Sequence, residues 1–124
     1  MGLPLRKNRT PPPPPTCALS ECMNLLRPAW AANIVWYLGA SPRRFGELRR
    51  DLPRISARIL SARLRELEAI GVIERRELDS SPPSAEYLLT ALGRELVPAL
   101  QTIVAVGEKL KQRRGFEAET EAAE

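Results

Sequence analysis

The chain of 124 residues has no histidine and only two cysteines. Without histidine, neither a Ser-His-Asp nor a Cys-His catalytic centre can form, and a histidine-ligated zinc site is equally impossible. Two cysteines alone cannot close a structural zinc site. The seven glycines form neither a G-x-G-x-x-G motif nor a Walker loop, so the usual cradle for nucleotide phosphates is missing. We therefore expect no enzymatic activity, no metal and no cofactor.

Long hydrophobic runs are also missing. No segment approaches the roughly 20 apolar residues that cross a bilayer, so we expect a cytoplasmic protein without membrane contact. The chain is 44% hydrophobic and 27% charged, which is close to the average for globular proteins. Most of it is therefore expected to fold around a single small core.

The composition divides the chain into three parts. Residues 1–16 hold six of the twelve prolines, which favour an extended or disordered arm. Residues 115–124 carry four glutamates and no basic residue, which predicts an acidic tail. Residues 17–114 between them are predicted to form the folded domain.

Four helices are predicted in the first part of this domain. The first runs from Ala18 to the proline at position 28, and the second covers 29–38 with Gly39 just beyond its end. A short third helix ends where Pro53 excludes the preceding residue from helical geometry. The fourth begins after Ser56, a good N-cap, and ends at Gly71. Its apolar stripe comprises Ile59, Leu60, Leu64, Leu67 and Ile70.

A hairpin and a long helix follow. Extended segments begin at Val72 and Glu86 and flank a loop of residues 79–83, which predicts a β-hairpin with a long tip. Thr90 caps a final helix that reaches about Arg114, and Pro98 is expected to kink it. This order of elements is typical of a mainly α fold with a small β-hairpin, the winged helix-turn-helix.

Arginine is concentrated in the middle of the chain. Between positions 43 and 65, eight arginines face only Glu47 and Asp51. Charge alone leaves a solvated helix face as an open alternative. On the fourth helix, however, two arginines and two small residues recur at steps of three and four residues, so they share one exposed face opposite the apolar stripe. We call this set the reading face; its members are Arg58, Ser61, Ala62 and Arg65.

The reading face has the composition that a DNA major groove requires. Its arginines can present planar forks to guanine O6 and N7, and its small residues let the backbone approach base edges. Arginines flanking this helix are predicted to contact phosphates: Arg43, Arg44, Arg49, Arg50 and Arg54. Arg75 and Arg76 lie on the hairpin, where a wing would meet the DNA backbone or the minor groove. Arg63 is interpreted differently, as the ion-pair partner of a glutamate on its own helix.

Several short motifs occur in an ungapped order. Cys17 precedes Trp30 by thirteen residues, and the segments RFGEL (44–48), LPRISARIL (52–60), SARLRELEAIG (61–71), PP (82–83) and EYLLTALG (86–93) follow. In this order they resemble the HxlR family of bacterial winged helix-turn-helix regulators, over residues 17 to about 110. The chain departs from the family pattern at positions 28–29, at Ala57 and at Ser84.

The resemblance implies a homodimeric transcription factor that binds a pseudo-palindromic DNA operator. The fourth helix would enter the major groove, and the terminal helices would form the dimer interface. Carried over position by position, the residues that read bases are Ser56, Ala57, Arg58, Ser61 and Ala62, and the wing residues are Arg75 and Ser84. The alternative from another class is a winged-helix module that binds proteins and no DNA.

Cysteine sensing is a further implication. Some family members respond to oxidants or small electrophiles through an N-terminal cysteine that corresponds to Cys17. Independently, Cys17 precedes the first helix, whose dipole favours a thiolate, and it follows a basic stretch of the arm. A packing role for Cys17 stays open, and Cys22 is interpreted as a small core residue.

The last helix carries more apolar residues than a small core can cover. We therefore predict that it forms the dimer interface together with the first helix. The residues assigned to this interface are Leu100, Ile103, Val106 and Leu110.

Overall fold

The computed structural model describes residues 11–12 and 17–123, with side chains as far as residue 115. It is a winged helix-turn-helix, as predicted. The arm assigned to residues 1–16 otherwise lies outside the described residues. In the described part, no helix is both long enough and apolar enough to span a membrane. The elements are α1 (Ala18–Leu26), α2 (Ala31–Ala40), β1 (Arg43–Arg44), α3 (Phe45–Asp51), α4 (Ala57–Ile70), β2 (Ile73–Leu78), β3 (Ser84–Leu89) and α5 (Ala91–Ala123).

The strands form one antiparallel sheet in the order β1-β3-β2. Strands β2 and β3 are the predicted hairpin and pair along their full length. Strand β1 was not predicted. Its two residues, Arg43 and Arg44, pair with Tyr87 and Glu86 on the other edge of β3. Two residues are too few to show a periodic pattern in a sequence. This strand is defined by its pairing with β3, which only the fold brings about.

The core lies between the helices and the inner face of the sheet. Three residues of the predicted stripe on α4 are buried, but Ile70 is 53% exposed and lies at the surface. No side chain of α1 is fully buried, so α1 packs as an outer layer. The buried cluster comprises Ile34, Val35, Leu38, Leu48, Leu52, Ile55, Leu60, Leu64, Leu67, Val72, Ile73, Leu89 and Leu100.

Both predicted ends of α4 are confirmed. The Ser56 hydroxyl accepts a hydrogen bond from the Ile59 N–H at 3.1 Å, which satisfies a free donor of the first turn. At the other end, Gly71 adopts a left-handed φ of 90°, and its N–H donates to the Glu68 carbonyl at 3.0 Å. Glycine is required there because a Cβ would be strained at this φ.

The predicted limits of α2 were wrong by two residues at each end. The helix begins at Ala31, because Trp30 takes a left-handed φ of 75° and closes the turn after α1. It continues through Gly39 to Ala40. A Cβ on Gly39 would lie 3.1 Å from the Val97 side chain, so this glycine allows close approach of α5 and does not end the helix.

The start of α5 is fixed by the predicted cap. The Thr90 hydroxyl accepts from the Gly93 N–H at 3.1 Å and donates to the Gly71 carbonyl at 2.6 Å, so it joins the ends of two helices. A Cβ on Gly93 would lie only 2.1 Å from the Val72 carbonyl oxygen. Only glycine fits at this crossing.

The far end of α5 differs from the prediction. Pro98 lies inside the helix, and the helix passes the expected end near Arg114 and continues to Ala123. The residues after Gly115 are mainly alanine and glutamate, which favour helix and contain no proline. The acidic tail therefore begins as a continuation of α5, although its side chains lie outside the described part.

Candidate nucleic-acid interface

Helices α3 and α4 form the helix-turn-helix. The Arg44 backbone N–H donates to the Glu47 carboxylate at 2.8 Å and so caps α3. Leu48 on α3 and Ile55 in the turn are both buried, at 0% and 2% exposure. Both residues belong to the core cluster, and the outer side of α4 is open to solvent.

The reading face lies on this open side of α4. Arg58 and Arg65 are exposed, whereas Ser61 and Ala62 between them are half-buried. Neither arginine makes a hydrogen bond or ion pair with another described residue. Ser56 and Ala57, at the start of the helix, are exposed as well. The structure therefore brings the residues assigned to base reading together on one surface.

Three arginines predicted to contact phosphates flank this surface. Arg49 and Arg50 lie in the last turn of α3, and Arg54 lies in the turn before α4. All three are exposed and have no ionic partner among the described residues. Arg44 is exposed at the start of α3. Their charges are available to an external anion.

Arg43 has a different environment. Its Nε and Nη2 atoms donate to the two carboxylate oxygens of Asp51, at 2.9 and 2.7 Å. This bidentate bond raises the pKa of Arg43 further above its already high value. The Arg43 fork is thus engaged inside the protein, and it ties β1 to the end of α3. Arg43 is therefore not among the proposed phosphate contacts, because Asp51 already engages its donors.

The ion pair expected for Arg63 is confirmed. Its Nη1 lies 3.2 Å from a carboxylate oxygen of Glu66 on the next turn of α4. A second bond was not predicted: the Arg63 Nε donates to the Ala29 carbonyl at 2.8 Å. Ala29 lies in the turn between α1 and α2, so Arg63 connects that turn to α4.

The wing, residues 73–89, carries two arginines that are both close to carboxylates. The Arg75 Nη1 atom lies 3.0 Å from a carboxylate oxygen of Glu77. Hydrogen bonds to Glu77 and, to a smaller extent, to Tyr87 raise the pKa of Arg75. The Arg76 guanidinium lies 3.6 Å from Glu86 and 3.7 Å from a second glutamate at position 74. The wing therefore neutralises its own cations.

The wing as a whole is acidic. It contains four acidic residues against two arginines, a net charge of −2. Ser84, assigned to DNA contact by resemblance, is half-buried, and its hydroxyl lies 2.9 Å from the Ser80 hydroxyl. Neither feature favours a strong contact with phosphates.

The predicted dimer residues divide into two groups. Leu100 is 5% exposed and packs in the core of its own chain, so it offers little surface to a partner. Ile103, Val106 and Leu110 are exposed by 53%, 51% and 55%. Apart from Gly107, every residue of α5 from 101 to 115 is exposed. This half of α5 extends beyond the core of the domain.

Sequence reasoning missed the other side of this apolar surface. Trp36 and Tyr37 on α2 are 40% and 36% exposed, and with Val104 they line a groove between α2 and α5. The sequence pattern could have indicated this surface, because two aromatic residues are adjacent on a helix whose core face is formed by Ile34 and Leu38. One member of such a pair must point away from the core.

Both cysteines are free and exposed. Cys17 occupies the N-cap position of α1 with a left-handed φ of 51°. Cys22 lies on the surface of α1, so its interpretation as a core residue was wrong; α1 buries no side chain fully. Among the described residues, no group of three or more histidines, cysteines and acidic residues could hold a metal ion.

Comparisons with known proteins agree with this architecture. The model of the HxlR-like helix-turn-helix family matches residues 25–114. The HTH-type transcriptional regulator YdeP of Bacillus subtilis is 36% identical over 97 residues, which cover 78% of this chain and 76% of YdeP.

Two solved structures are similar in both sequence and fold. The oxidised form of the redox regulator HypR is 33% identical with a TM-score of 0.71, covering 75% of this chain and 96% of HypR. The reduced form of YodB from B. subtilis is 33% identical with a TM-score of 0.66, covering 74% of this chain and 88% of YodB. The chain therefore belongs to the HxlR-like helix-turn-helix family of transcriptional regulators.

Proposed function

We propose that the protein regulates transcription as a homodimer that binds a pseudo-palindromic DNA operator. One observation carries this proposal: six arginines in or beside the helix-turn-helix are exposed and have no ion pair within the described residues, although acidic residues are common elsewhere on the surface. They are Arg44, Arg49, Arg50, Arg54, Arg58 and Arg65. Unpaired surface arginines give a positive potential that favours an anionic partner. A module that binds proteins alone would not need to keep so many charges open on one surface.

The contacts are assigned by position on the helix-turn-helix. Arg58 and Arg65 would read bases in the major groove, and Ser61 and Ala62 would let α4 approach closely. Ser56 and Ala57, at the N-terminus of α4, would meet the groove first. Phosphate contacts come from Arg44, Arg49, Arg50 and Arg54. Arg75, Arg76 and Ser84 of the wing contribute less, because carboxylates already surround the two arginines.

A second copy of the chain is the partner proposed for the apolar surface of α2 and α5. Ile103, Val106 and Leu110 recur at three- and four-residue steps and therefore share one face of the helix. Trp36 and Tyr37 adjoin this face across the groove. Burial of large aromatic and aliphatic side chains is the usual driving force of a homodimer interface.

Selection of bound duplexes from a random DNA pool with the full chain is the experiment that tests operator binding. We expect enrichment of two inverted half-sites whose centres lie about 34 Å, or one helical turn, apart. Absence of any enriched sequence, even at low salt, would contradict operator recognition. Enrichment of a single half-site would contradict binding as a dimer but would support operator recognition.

Sedimentation of two matched variants tests the dimer. Ile103→Asp introduces a charge on the proposed interface, and we expect it to shift the protein to monomer at micromolar concentration. Gln112→Asp introduces the same charge on the opposite face of α5, about 180° away, and should leave the dimer intact. A monomeric wild type, or equal effects of both variants, would count against this interface.

Regulation through Cys17 is the finer part of the proposal. Cys17 is exposed, its thiol is free, and it lies at the N-terminus of α1. The related HypR is described as a redox regulator, and YodB is also known in a quinone-bound form. A quinone would add to the Cys17 thiolate with formation of an S–C bond, and protonation would give the hydroquinone adduct.

Cys22 provides the matched control for this proposal, because it is an exposed cysteine on the same helix. We would treat wild type, Cys17→Ser and Cys22→Ser with a quinone and measure operator affinity. Wild type and Cys22→Ser should change affinity, whereas Cys17→Ser should not. If Cys17→Ser responds like wild type, Cys17 is not the sensor.

A further inference from the structure

The rotation of α4 about its own axis matters for DNA recognition. Three buried leucines hold α4 against the core: Leu60, Leu64 and Leu67, each at most 2% exposed. Apolar contacts of this kind are non-directional. They resist withdrawal of the helix from the core more strongly than a small rotation. At a helix radius of about 5–6 Å, a rotation of about 20° moves a surface atom by ~2 Å, which is enough to lose a hydrogen bond to a base.

Arg63 supplies the directional contact that the leucines lack. Its Nε donates to the Ala29 carbonyl at 2.8 Å, across 34 residues of sequence. Its Nη1 is held by Glu66 at 3.2 Å, which orients the guanidinium. The Arg63 side chain is only 18% exposed, so it lies along the flank of α4 and does not extend freely into solvent.

The acceptor belongs to a rigid turn. Pro28 fixes its own φ, and its carbonyl accepts from the Ala31 N–H at 3.1 Å. Trp30 has a left-handed backbone, and its side chain packs against the core. The Ala29 carbonyl between them is left to accept the bond from Arg63. The turn between α1 and α2 is therefore a fixed reference for α4.

Helical geometry places Arg63 between the two functional sides of α4. At 100° per residue, it lies about 150° from the centre of the reading face and about 60–70° from the centre of the buried leucines. A bond on this flank opposes the rotation of α4 that would displace the reading face. Arg58 and Arg65 lie on either side of Arg63 along the helix axis, so both depend on the same bond.

We propose that Arg63 is a positioning residue that sets the rotation of α4 against the turn between α1 and α2, and thereby directs Arg58 and Arg65 to their bases. The proposal rests on the proposed function, because it concerns the same reading face. In this proposal, Ala29 and its turn contribute to DNA recognition, although the turn does not lie on the side of α4 that faces the DNA major groove.

The test compares the Kd values of variants for the selected operator and for an unrelated duplex of the same length. Arg63→Met removes the donors and keeps an unbranched side chain, and it should lower the ratio of the two affinities by about tenfold, the equivalent of one hydrogen bond of ~1.4 kcal/mol. Arg63→Lys keeps a charge and a donor and should restore part of the ratio. Glu66→Gln, the control, retains the bond to Ala29 and should change the ratio by less than about twofold.

A direct phosphate contact by Arg63 predicts a different result. Arg63→Met would then weaken both duplexes equally and lower the salt slope by about 0.9. An unchanged affinity ratio in Arg63→Met, or an equal loss in Glu66→Gln, would overturn the positioning role. Thermal unfolding of each variant checks that the fold is retained, and Arg63→Lys serves as the milder variant if Arg63→Met does not fold.

A measurement without DNA separates this proposal from the proposed function. In the free protein, Arg63→Met should shift the backbone amide resonances of residues 29–31 and of the reading face, while Glu66→Gln should leave both sets nearly unchanged. Unchanged reading-face resonances in Arg63→Met would overturn the positioning role. If wild type bound no duplex at all, the proposed function would fail, and the amide shifts would still decide the role of Arg63.

Discussion

The helix-turn-helix and the wing both carry arginines, but the two regions place them in opposite surroundings. Arg49, Arg54 and Arg58 are exposed and have no ionic partner among the described residues. Arg75 and Arg76 lie within 3.0–3.7 Å of glutamates on the same hairpin. The number of arginines in a region therefore does not identify a DNA-binding surface. The position of neighbouring carboxylates decides it.

The physical reason is the competition between two anions for one cation. An unpaired arginine gains a phosphate contact and releases counterions from the DNA. A wing arginine must first lose its carboxylate, and that carboxylate then repels the phosphate at close range. This difference ranks the expected effects of substitutions in the two regions.

The largest effect is expected at the reading face. Arg58→Ala should cost roughly 1–3 kcal/mol of operator binding and relax specificity at one base pair, because a bidentate contact to a base would be lost. Titration against the operator and its single-base variants measures both changes. An equal loss on every sequence would show that Arg58 contacts phosphate and that the reading face is assigned wrongly.

A smaller and uniform effect is expected on α3. Arg49→Ala should weaken binding to all duplexes alike, because a phosphate contact carries no base information. The slope of log affinity against log salt should become shallower by about 0.9. Titrations at several salt concentrations, with operator and unrelated duplex, measure this. A selective loss on the operator would place Arg49 among the base contacts.

The wing should respond least. Arg76→Ala is expected to change binding by less than about 0.5 kcal/mol, because Glu74 and Glu86 already neutralise its charge. Glu86→Gln should strengthen binding slightly, since it removes one of the two carboxylates beside Arg76 and leaves Glu74 in place. The comparison between the two regions would fail if Arg76→Ala cost as much as Arg49→Ala.

Changes in pH should have almost no effect on the helix-turn-helix. The carboxylates of Asp51 and Glu77 raise the pKa values of Arg43 and Arg75, and a group whose folded pKa is raised loses its contribution only above its unfolded pKa. For arginine that range lies far above neutrality. With no histidine in the chain, operator affinity of Cys17→Ser should vary by less than about twofold between pH 6 and 8. A larger change would show that another titrating group contributes to operator binding.

Local chemistry made the limits of α4 predictable. The side chain of Ser56 and the conformational freedom of Gly71 act within a few residues of themselves, so the ends of α4 could be deduced from the sequence. The same holds for Thr90 as a cap and for the pairing of Arg63 with Glu66, which lie one helical turn apart. The hairpin followed from two extended segments around a proline-containing loop.

Contacts between distant residues were not predictable in this way. Arg43 was assigned to phosphate because it belongs to the basic segment, but the pairing of β1 with β3 and the position of Asp51 engage it inside the fold. Leu100 and Ile103 carry similar apolar signals, yet only Leu100 reaches the core. Helical periodicity gives the face of a residue, whereas the length of the helix that the core covers depends on the packing of the other elements.

The sequence by itself determined the order of the helices and the hairpin, the limits of α4, the composition of the reading face and the resemblance to a family. These properties depend on residues close together in the chain. The tertiary structure alone decided which arginines are free, which are tied to Asp51 or Ala29, and where α5 leaves the core. The physical reason is that a charge is available to DNA only if folding has not placed a competing acceptor beside it, and such acceptors come from residues far away in sequence.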